Sequence, residues 1–411
     1  MKPGILLITL NPCYPLHHGG ALAQFYFLDG LKNKVDFVLC TQSNSDDEEN
    51  ALKTLQEKIP SLKIYSFRNY SDKNQRPKLT VKAEIKAVLK NILFSGKSQI
   101  TPYLIDDFSD PYFRHADNNF NPRFIELIHK VIEKEHIQQV QFDFYNTIDL
   151  CYALPKGIRK IFVSHEVRFK RLMLSSAKSP EPTEFKNFLI GKTRDYELNC
   201  IKQMDEVVVF NNDDADLLRS STDHITVSPF AIPDELIFDL SVSKEFKQLL
   251  FIGGEGHNPN VLGLKWFLDE IYVPNQKVIN YPFHIIGNWS ESFKQQYSGH
   301  QNIEFLGTVP SVKDFFIASI FVNPILTGAG IRTKILHAFS NNVPVLSTAF
   351  GAEGCFTDEN KDHIGFFDSA DEFISLIKSA GFEKLASKGH DYYNEMFNKE
   401  KLLKLRLNLY N

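Results

Sequence analysis

Short apolar runs alternate with longer amphipathic segments along the 411-residue chain. That is the pattern of strands that feed helices and pair in parallel. In the first half, GILLITL (4–10), VDFVLCT (35–41), SLKIYSF (61–67), QQVQFDF (138–144), RKIFVSH (159–165) and DEVVVF (205–210) predict buried strands. Helical periodicity predicts Ala21–Lys32, Asp46–Lys58, Asn121–Glu135 and Phe185–Met204 between them. In the second half, strands are expected at QLLFIGG (248–254), FHIIGN (283–288), NIEFLG (302–307), SIFVNPI (319–325) and PVLSTA (344–349). The helices between these would be Pro259–Glu270, Trp289–Tyr297, Val312–Ala318, Thr333–Ser340 and Asp371–Ala380. A polar connector without sustained period, PDELIFDLSVSKEFK, follows the short run HITVSPFAI, so the boundary falls near 229–247.

Length supports that division, because one hydrophobic core rarely serves a chain of this size. The expected units are an α/β domain over 1–235, a second over 236–385, and a C-terminal helix over 386–411 that packs back toward the first. Two open doubly wound sheets bind ligands beyond the carboxyl ends of their strands, so a site belongs in the cleft between them.

Composition changes this picture little. Hydrophobic residues make up 43% and charged residues 23%, and the net charge of −4 argues against bulk nucleic-acid binding. The five cysteines (Cys13, Cys40, Cys151, Cys200 and Cys355) form no CxxC, which suits a reducing compartment and gives no zinc site. The N-terminal run ILLITL is far short of the ~20 residues a membrane span needs and reads as a strand. The expectation is a cytoplasmic protein. In VKAEIKAVLKNILFSGK (81–97), Val81, Ile85, Val88, Leu89 and Ile92 share one helical face and Lys82, Lys86 and Lys90 the other. The simplest reading is a surface helix; the alternative is peripheral contact with the inner face of an anionic membrane.

The stretch GAGIRTKILHA (328–338) joins a predicted strand to a predicted helix. Gly328 and Gly330 would let backbone approach a ligand, and Arg332 and Lys334 suit phosphate oxygens at a helix N-terminus. Upstream, FIGGEGHNPN places Gly253 and Gly254 before an Asn258–Asn260 turn, a second anion-friendly helix start. Downstream, NNVPVLSTAFGAEG ends a strand in a loop that carries Glu353.

FIGG, NPNVLGLKWFLDEI, IIGNW, FLGTVPSV, NPILTGAGIRTKILHAF, NNVPVLST and GAEG follow in that order over 251–354. The chain here resembles the group 1 family of retaining glycosyltransferases. That resemblance implies the GT-B fold, two Rossmann-like domains facing a central cleft. It extends more thinly to NPCYPLHHGGALAQFYFLDGL (11–31), VQFDFYNTIDLCYALP (140–155), IFVSHEVRFKRL (161–172) and YELNCIKQMDEVVVFNNDDADLL (196–218).

The resemblance implies roles. Gly19 and Gly20 would lie close to the donor phosphates, with His17 and His18 beside them. His165, at a strand tip, would touch the transferred sugar. Backbone at Gly287, Gly307, Thr308 and Val309 would face the base. Arg332 and Lys334 would hold the diphosphate, with Gly253, Gly254, Asn258, Gly328, Ala329, Gly330 and Glu353 around the donor. Departures accompany the match. The family's ribose-binding glutamate falls at His337 and its partner eight residues earlier at Ala329, and a neutral imidazole accepts only one proton where a carboxylate accepts both. The family's Arg and Lys after the first strand of the second domain are absent from GGEGHNPN.

The implied activity is transfer of a sugar, with retention, from a UDP- or GDP-type donor to a carbohydrate, lipid-linked or protein acceptor. Polysaccharide or glycoconjugate biosynthesis is the expected setting, with no cofactor and no metal; Asp106–Asp107 and Asp213–Asp214 read as surface acids. Two alternatives stay open: a GT-B sugar-nucleotide epimerase, which needs cleft carboxylates such as Glu353, and a non-catalytic nucleotide-sugar-binding protein.

Overall fold

The computed structural model describes residues 2–16, 18–69, 107–108, 120–177, 179–238, 240–243, 245–328, 332–356, 361–379 and 381–411. The 81–97 segment, His17, Asp106, Ala329 and Gly330 lie outside them.

The first half supplies strands β1 (Gly4–Thr9), β2 (Asp36–Ser43), β3 (Lys63–Arg68), β4 (Gln139–Asp143), β5 (Arg159–Val163), β6 (Glu206–Val209) and β7 (Ile225–Val227). They form one parallel sheet in the order β3-β2-β1-β4-β5-β6-β7. Its helices are α1 (Gly19–Leu31), α2 (Asp46–Lys58), α3 (Pro122–Lys134), α4 (Arg168–Ser176), α5 (Thr183–Ile201) and α6 (Asn212–Leu218). The second half supplies β8 (Gln248–Ile252), β9 (Phe283–Ile286), β10 (Ile303–Gly307), β11 (Ser319–Asn323), β12 (Val345–Ser347) and β13 (Gly365–Phe366), ordered β10-β9-β8-β11-β12-β13. Its helices are α7 (Asn258–Trp266), α8 (Gln276–Ile279), α9 (Glu291–Gln295), α10 (Lys313–Phe316), α11 (Thr333–Ser340) and α12 (Ala370–Lys378). The chain ends in α13 (Phe382–Met396) and α14 (Lys399–Tyr410).

The continuous apolar runs became strands because helices cover both faces of each sheet. Ile5, Leu6 and Ile8 of β1 and Leu249, Leu250 and Phe251 of β8 are wholly buried. Strand order reverses between β1 and β4 in one sheet and between β8 and β11 in the other. Crevices therefore open at those two points, where right-handed crossovers leave to opposite faces.

Several elements differ from the periodicity reading. The run VQFDFYNTIDLCYALP does not stay extended: β4 stops at Asp143, Phe144 turns to φ 71°, ψ 153°, and Tyr145–Tyr152 form a 3₁₀ helix. Helix α4 follows His165 at once, although Val167–Arg171 carries no cap signal; Glu197 of α5 supplies one by accepting from the Arg168 and Phe169 amides, each at 3.2 Å. The predicted helix over Pro259–Glu270 widens into a π turn at Phe267–Tyr272. Helix α13 packs on α11 through His390 Nδ1, 3.0 Å from the Phe339 carbonyl. Helix α14 then lies on α1, where Tyr26 Oη donates to the Lys399 carbonyl at 3.3 Å.

Candidate functional site

The N-termini of α1 and α11 meet across the cleft. A Cβ placed on Gly19 would stand 3.1 Å from Thr333 Cγ2, so the two helix starts abut. Each brings the positive end of its dipole toward the other.

On the second-half side, Lys334 projects from the first turn of α11. Its Nζ donates to Asn260 Oδ1 at 2.7 Å and lies 5.3 Å from the Phe251 ring centre. Burial pushes the ammonium down to about 7. Asn260 Nδ2 in turn donates to the Gly254 carbonyl at 2.8 Å. Any side chain at Gly253 would collide with Lys334 Nζ, 2.7 Å from a Cβ there. Here a glycine is needed, for approach to a cation. Asn260, rather than Asn258 at the first position of α7, is the asparagine that meets Lys334.

Arg332 is held differently. Its Nη2 donates to the Phe350 carbonyl at 3.1 Å and sits 3.4 Å from Glu353 Oε2, the guanidinium stands over the Phe350 ring, and Nε is buried without a hydrogen-bond partner. Glu353 is therefore the carboxylate partner of Arg332. Gly328, at φ +117°, takes a backbone conformation that L side chains rarely adopt and turns the chain toward α11. The strand ends carrying Gly253, Gly287 and Gly307 lie side by side: Gly253 N donates to the Ile286 carbonyl and Gly287 N to the Gly307 carbonyl, each at 2.8 Å. Trp289 Nε1 secures the Gly253 carbonyl at 2.8 Å. Beyond Gly307, Thr308 is exposed and Val309 half-buried.

His337 has neighbours other than the resemblance implies. Nε2 is 3.0 Å from the Leu236 carbonyl in the interdomain connector, so that nitrogen must carry the proton. The ring packs against Phe238 and Phe316, and burial pushes the imidazole down to about 4. Its polar edge is spent on the connector.

On the first-half side, His165 caps the tip of β5. Nε2 is 3.1 Å from Asp143 Oδ1 at the tip of β4, and the ring stacks on Phe144 at 3.8 Å and meets Phe210 edge-on at 5.1 Å. Phe144 holds a conformation close to glycine-only space, a strain of about 1–3 kcal/mol that surroundings must enforce. The enforcers are visible: Phe144 N donates to the Val163 carbonyl at 3.3 Å, and a Cβ on Gly20 would run into the Phe144 ring. His18 caps α1, its Nδ1 accepting from Ala21 N at 3.2 Å.

Next to His165, Glu166 pairs with Arg171 at 3.3 Å, and Arg171 pairs with Asp107 at 3.2 Å. Asp107 is thus a buried ion-pair member rather than a surface acid; the same holds for Asp214, buried and 2.8 Å from Lys170, while Asp213 is exposed. His257, at the cap of α7, is the clearest cleft residue that sequence reasoning missed. Its side chain is exposed, and desolvation first, then the charges of Lys334 and Arg171, push the imidazole below its usual range, so charges of both halves act on it. Asp143 was missed too, because nothing in QFDF distinguishes a strand-end acid from a solvated one. Among the described residues no group of three or more His, Cys, Asp or Glu is placed to hold a metal, and no helix is long and apolar enough to cross a membrane.

Residues 246–379 match the model of the family described as Glycosyl transferases group 1. Sucrose-phosphate synthase from Thermosynechococcus elongatus superposes with a TM-score of 0.70 at 12% identity, covering 100% of this chain and 98% of that one. A point mutant of S. aureus TarM, in complex with fondaparinux, α-GlcNAc-glycerol and UDP, gives 0.65 at 13% identity with both chains covered fully. The fold is GT-B. An uncharacterised 44.6 kDa protein of the cps region of Klebsiella pneumoniae is 28% identical over 168 residues, a match that spans 38% of this chain and 43% of that relative.

Proposed function

We propose that the protein is a retaining glycosyltransferase that moves a sugar from a UDP- or GDP-type donor to a carbohydrate, lipid-linked or protein acceptor. The observation that carries this reading is Lys334: a cation pushed down to about 7 by burial, its ammonium held by a neutral amide where two helix N-termini meet. Such a group gains most when a diphosphate arrives, because the anion offsets the desolvation already incurred. As the bond between sugar and diphosphate breaks, negative charge grows on the leaving oxygen. A preorganised cation and fixed amides stabilise that charge most where water is excluded. Arg332, with an unpartnered Nε, would follow the diphosphate, while the glycine-ended strands β8 to β10 would floor the nucleoside. On this reading the side chains supply the positive charge, with no metal or cofactor taking part. The cps-region relative supports polysaccharide biosynthesis as the setting.

Thermal-shift titration with a panel of nucleoside diphosphates and their sugars tests the reading, since a ligand specific to the folded state raises apparent stability. The expected result is a selective rise with a uridine or guanosine diphosphate that Lys334→Ala abolishes. No rise with any nucleotide would overturn it. One observation favours the second reading, a protein that binds without transfer: His337 is committed to the connector. Nucleotide binding without turnover across a broad acceptor panel would select that alternative.

A further inference from the structure

Beneath His165 a run of buried polar groups crosses the apolar interior of the first half. Asp143 accepts from His165 Nε2 on Oδ1 at 3.1 Å and from Gln141 Nε2 on Oδ2 at 3.0 Å. Gln141 Oε1 accepts from the hydroxyl of Tyr410 at 2.6 Å. Asp143 is 2% exposed, Gln141 3% and Tyr410 1%. A small cavity bounded by these groups, Gln24, Phe27 and Arg406 separates α1 from the strand tips. Tyr410 belongs to α14, which follows a helix packed on the second half, and its ring sits edge-on against Phe37 at 6.0 Å.

A polar chain costs stability unless every member is paired, so its presence beside buried Leu7, Phe37 and Val163 calls for a reason. Each link dictates the next. The Tyr410 hydroxyl fixes the Gln141 amide with its oxygen outward and its NH₂ toward Asp143. The carboxylate, with one oxygen so engaged, takes the His165 proton on the other. Among the described residues Nδ1 of His165 has no protein partner, and the flanking Phe144 and Phe210 rings prevent the imidazole from turning over.

We propose that Asp143, Gln141 and Tyr410 are positioning residues that lock His165 in the Nε2–H tautomer and present Nδ1 to the cleft as an acceptor for a hydroxyl of the transferred sugar. The C-terminal helix α14 is thereby part of the active-site support. The inference rests on the glycosyltransferase reading for its substrate, but its geometry does not. Two-bond ¹H–¹⁵N NMR of the full-length chain, without ligand, reads the tautomer directly. The wild type should show Nε2 protonated and Nδ1 bare. Asp143→Asn should give a mixed tautomer and lower kcat at least ~10-fold with the donor KM unchanged, the range seen when an orienting partner is lost. Tyr410→Phe keeps the ring on Phe37, so it tests the chain without unfolding it; kcat should fall roughly threefold, again without a KM change. Kinetics use UDP-glucose or GDP-mannose, whichever is turned over. An Nδ1–H tautomer in the wild type, or a tautomer and kcat unmoved in Asp143→Asn, would overturn the proposal. If no nucleotide or nucleotide sugar raises the thermal stability, the transferase reading fails, and the NMR arm still decides the lock.

Discussion

The two sides of the cleft handle polar groups in opposite ways. Around His165 the bonds close inward and leave the imidazole Nδ1 open: imidazole Nε2 to Asp143, Asp143 to Gln141, Gln141 to Tyr410, and Arg171 shared between Glu166 and Asp107. Around Lys334 they do not close. The ammonium meets a neutral amide, and Arg332 keeps a buried Nε without an acceptor. A closed network holds a shape; an open one waits for a charge. The difference is the basis for the proposed division of labour, positioning in the first half and anion binding in the second.

The comparison breaks most readily at Lys334. Lys334→Ala should lower transfer by at least ~10²-fold, the usual cost of removing one preorganised donor to developing charge. Steady-state rates with the selected donor give the answer, and unchanged activity would remove the anion site from the reaction.

A pH series comes next. In the free protein Lys334 is pushed down to about 7 and a bound phosphate raises it, so binding takes up a proton. Affinity is therefore fullest below pH 7 and falls by up to about tenfold per pH unit above it, until the pKa of the complex is reached. Calorimetry with UDP in buffers of different ionisation enthalpy measures the uptake; none at pH 8 would show that Lys334 is not the linked group. The same lowered value makes the folded state bind fewer protons than the unfolded chain between about 7 and 10.5. Lys334 alone therefore makes stability rise with pH across that window.

The smallest effect belongs to the scaffold. Trp289→Phe leaves the Gly253 carbonyl without its indole donor at 2.8 Å and should cost about 1–3 kcal/mol in chemical denaturation. Nucleotide affinity should change less than in Lys334→Ala, because the indole supports the strand end and carries no charge.

Much of this was legible in the chain. Runs such as GILLITL and QLLFIGG were read as buried parallel strands and are such strands, and the order of glycine-ended strands pointed to the second half as the side for a phosphate. Arg332 and Lys334 stood out because they follow a glycine-containing strand-to-helix turn; the structure brings Lys334 to Asn260 and Arg332 to Phe350 and Glu353. His337, Asp107 and Asp214 were misread. Asp107 and Asp214 sit in locally polar stretches and His337 on an amphipathic helix, and the partners of each come from residues far away in sequence: Leu236 and Phe316 for His337, Arg171 for Asp107, Lys170 for Asp214.

The sequence by itself determined the α/β architecture, the sites of the strand-to-helix turns and the residue types placed there, because periodicity and glycine placement are local properties. Which groups became partners was decided only by the tertiary structure. Gln141 meets Tyr410, Lys334 meets Asn260 and Gly19 meets Thr333 because crossovers and a returning C-terminal helix bring distant strand ends together. Burial, and with it the lowered pKa of Lys334, exists only once Phe251, Gly253 and Asn260 have gathered around that side chain.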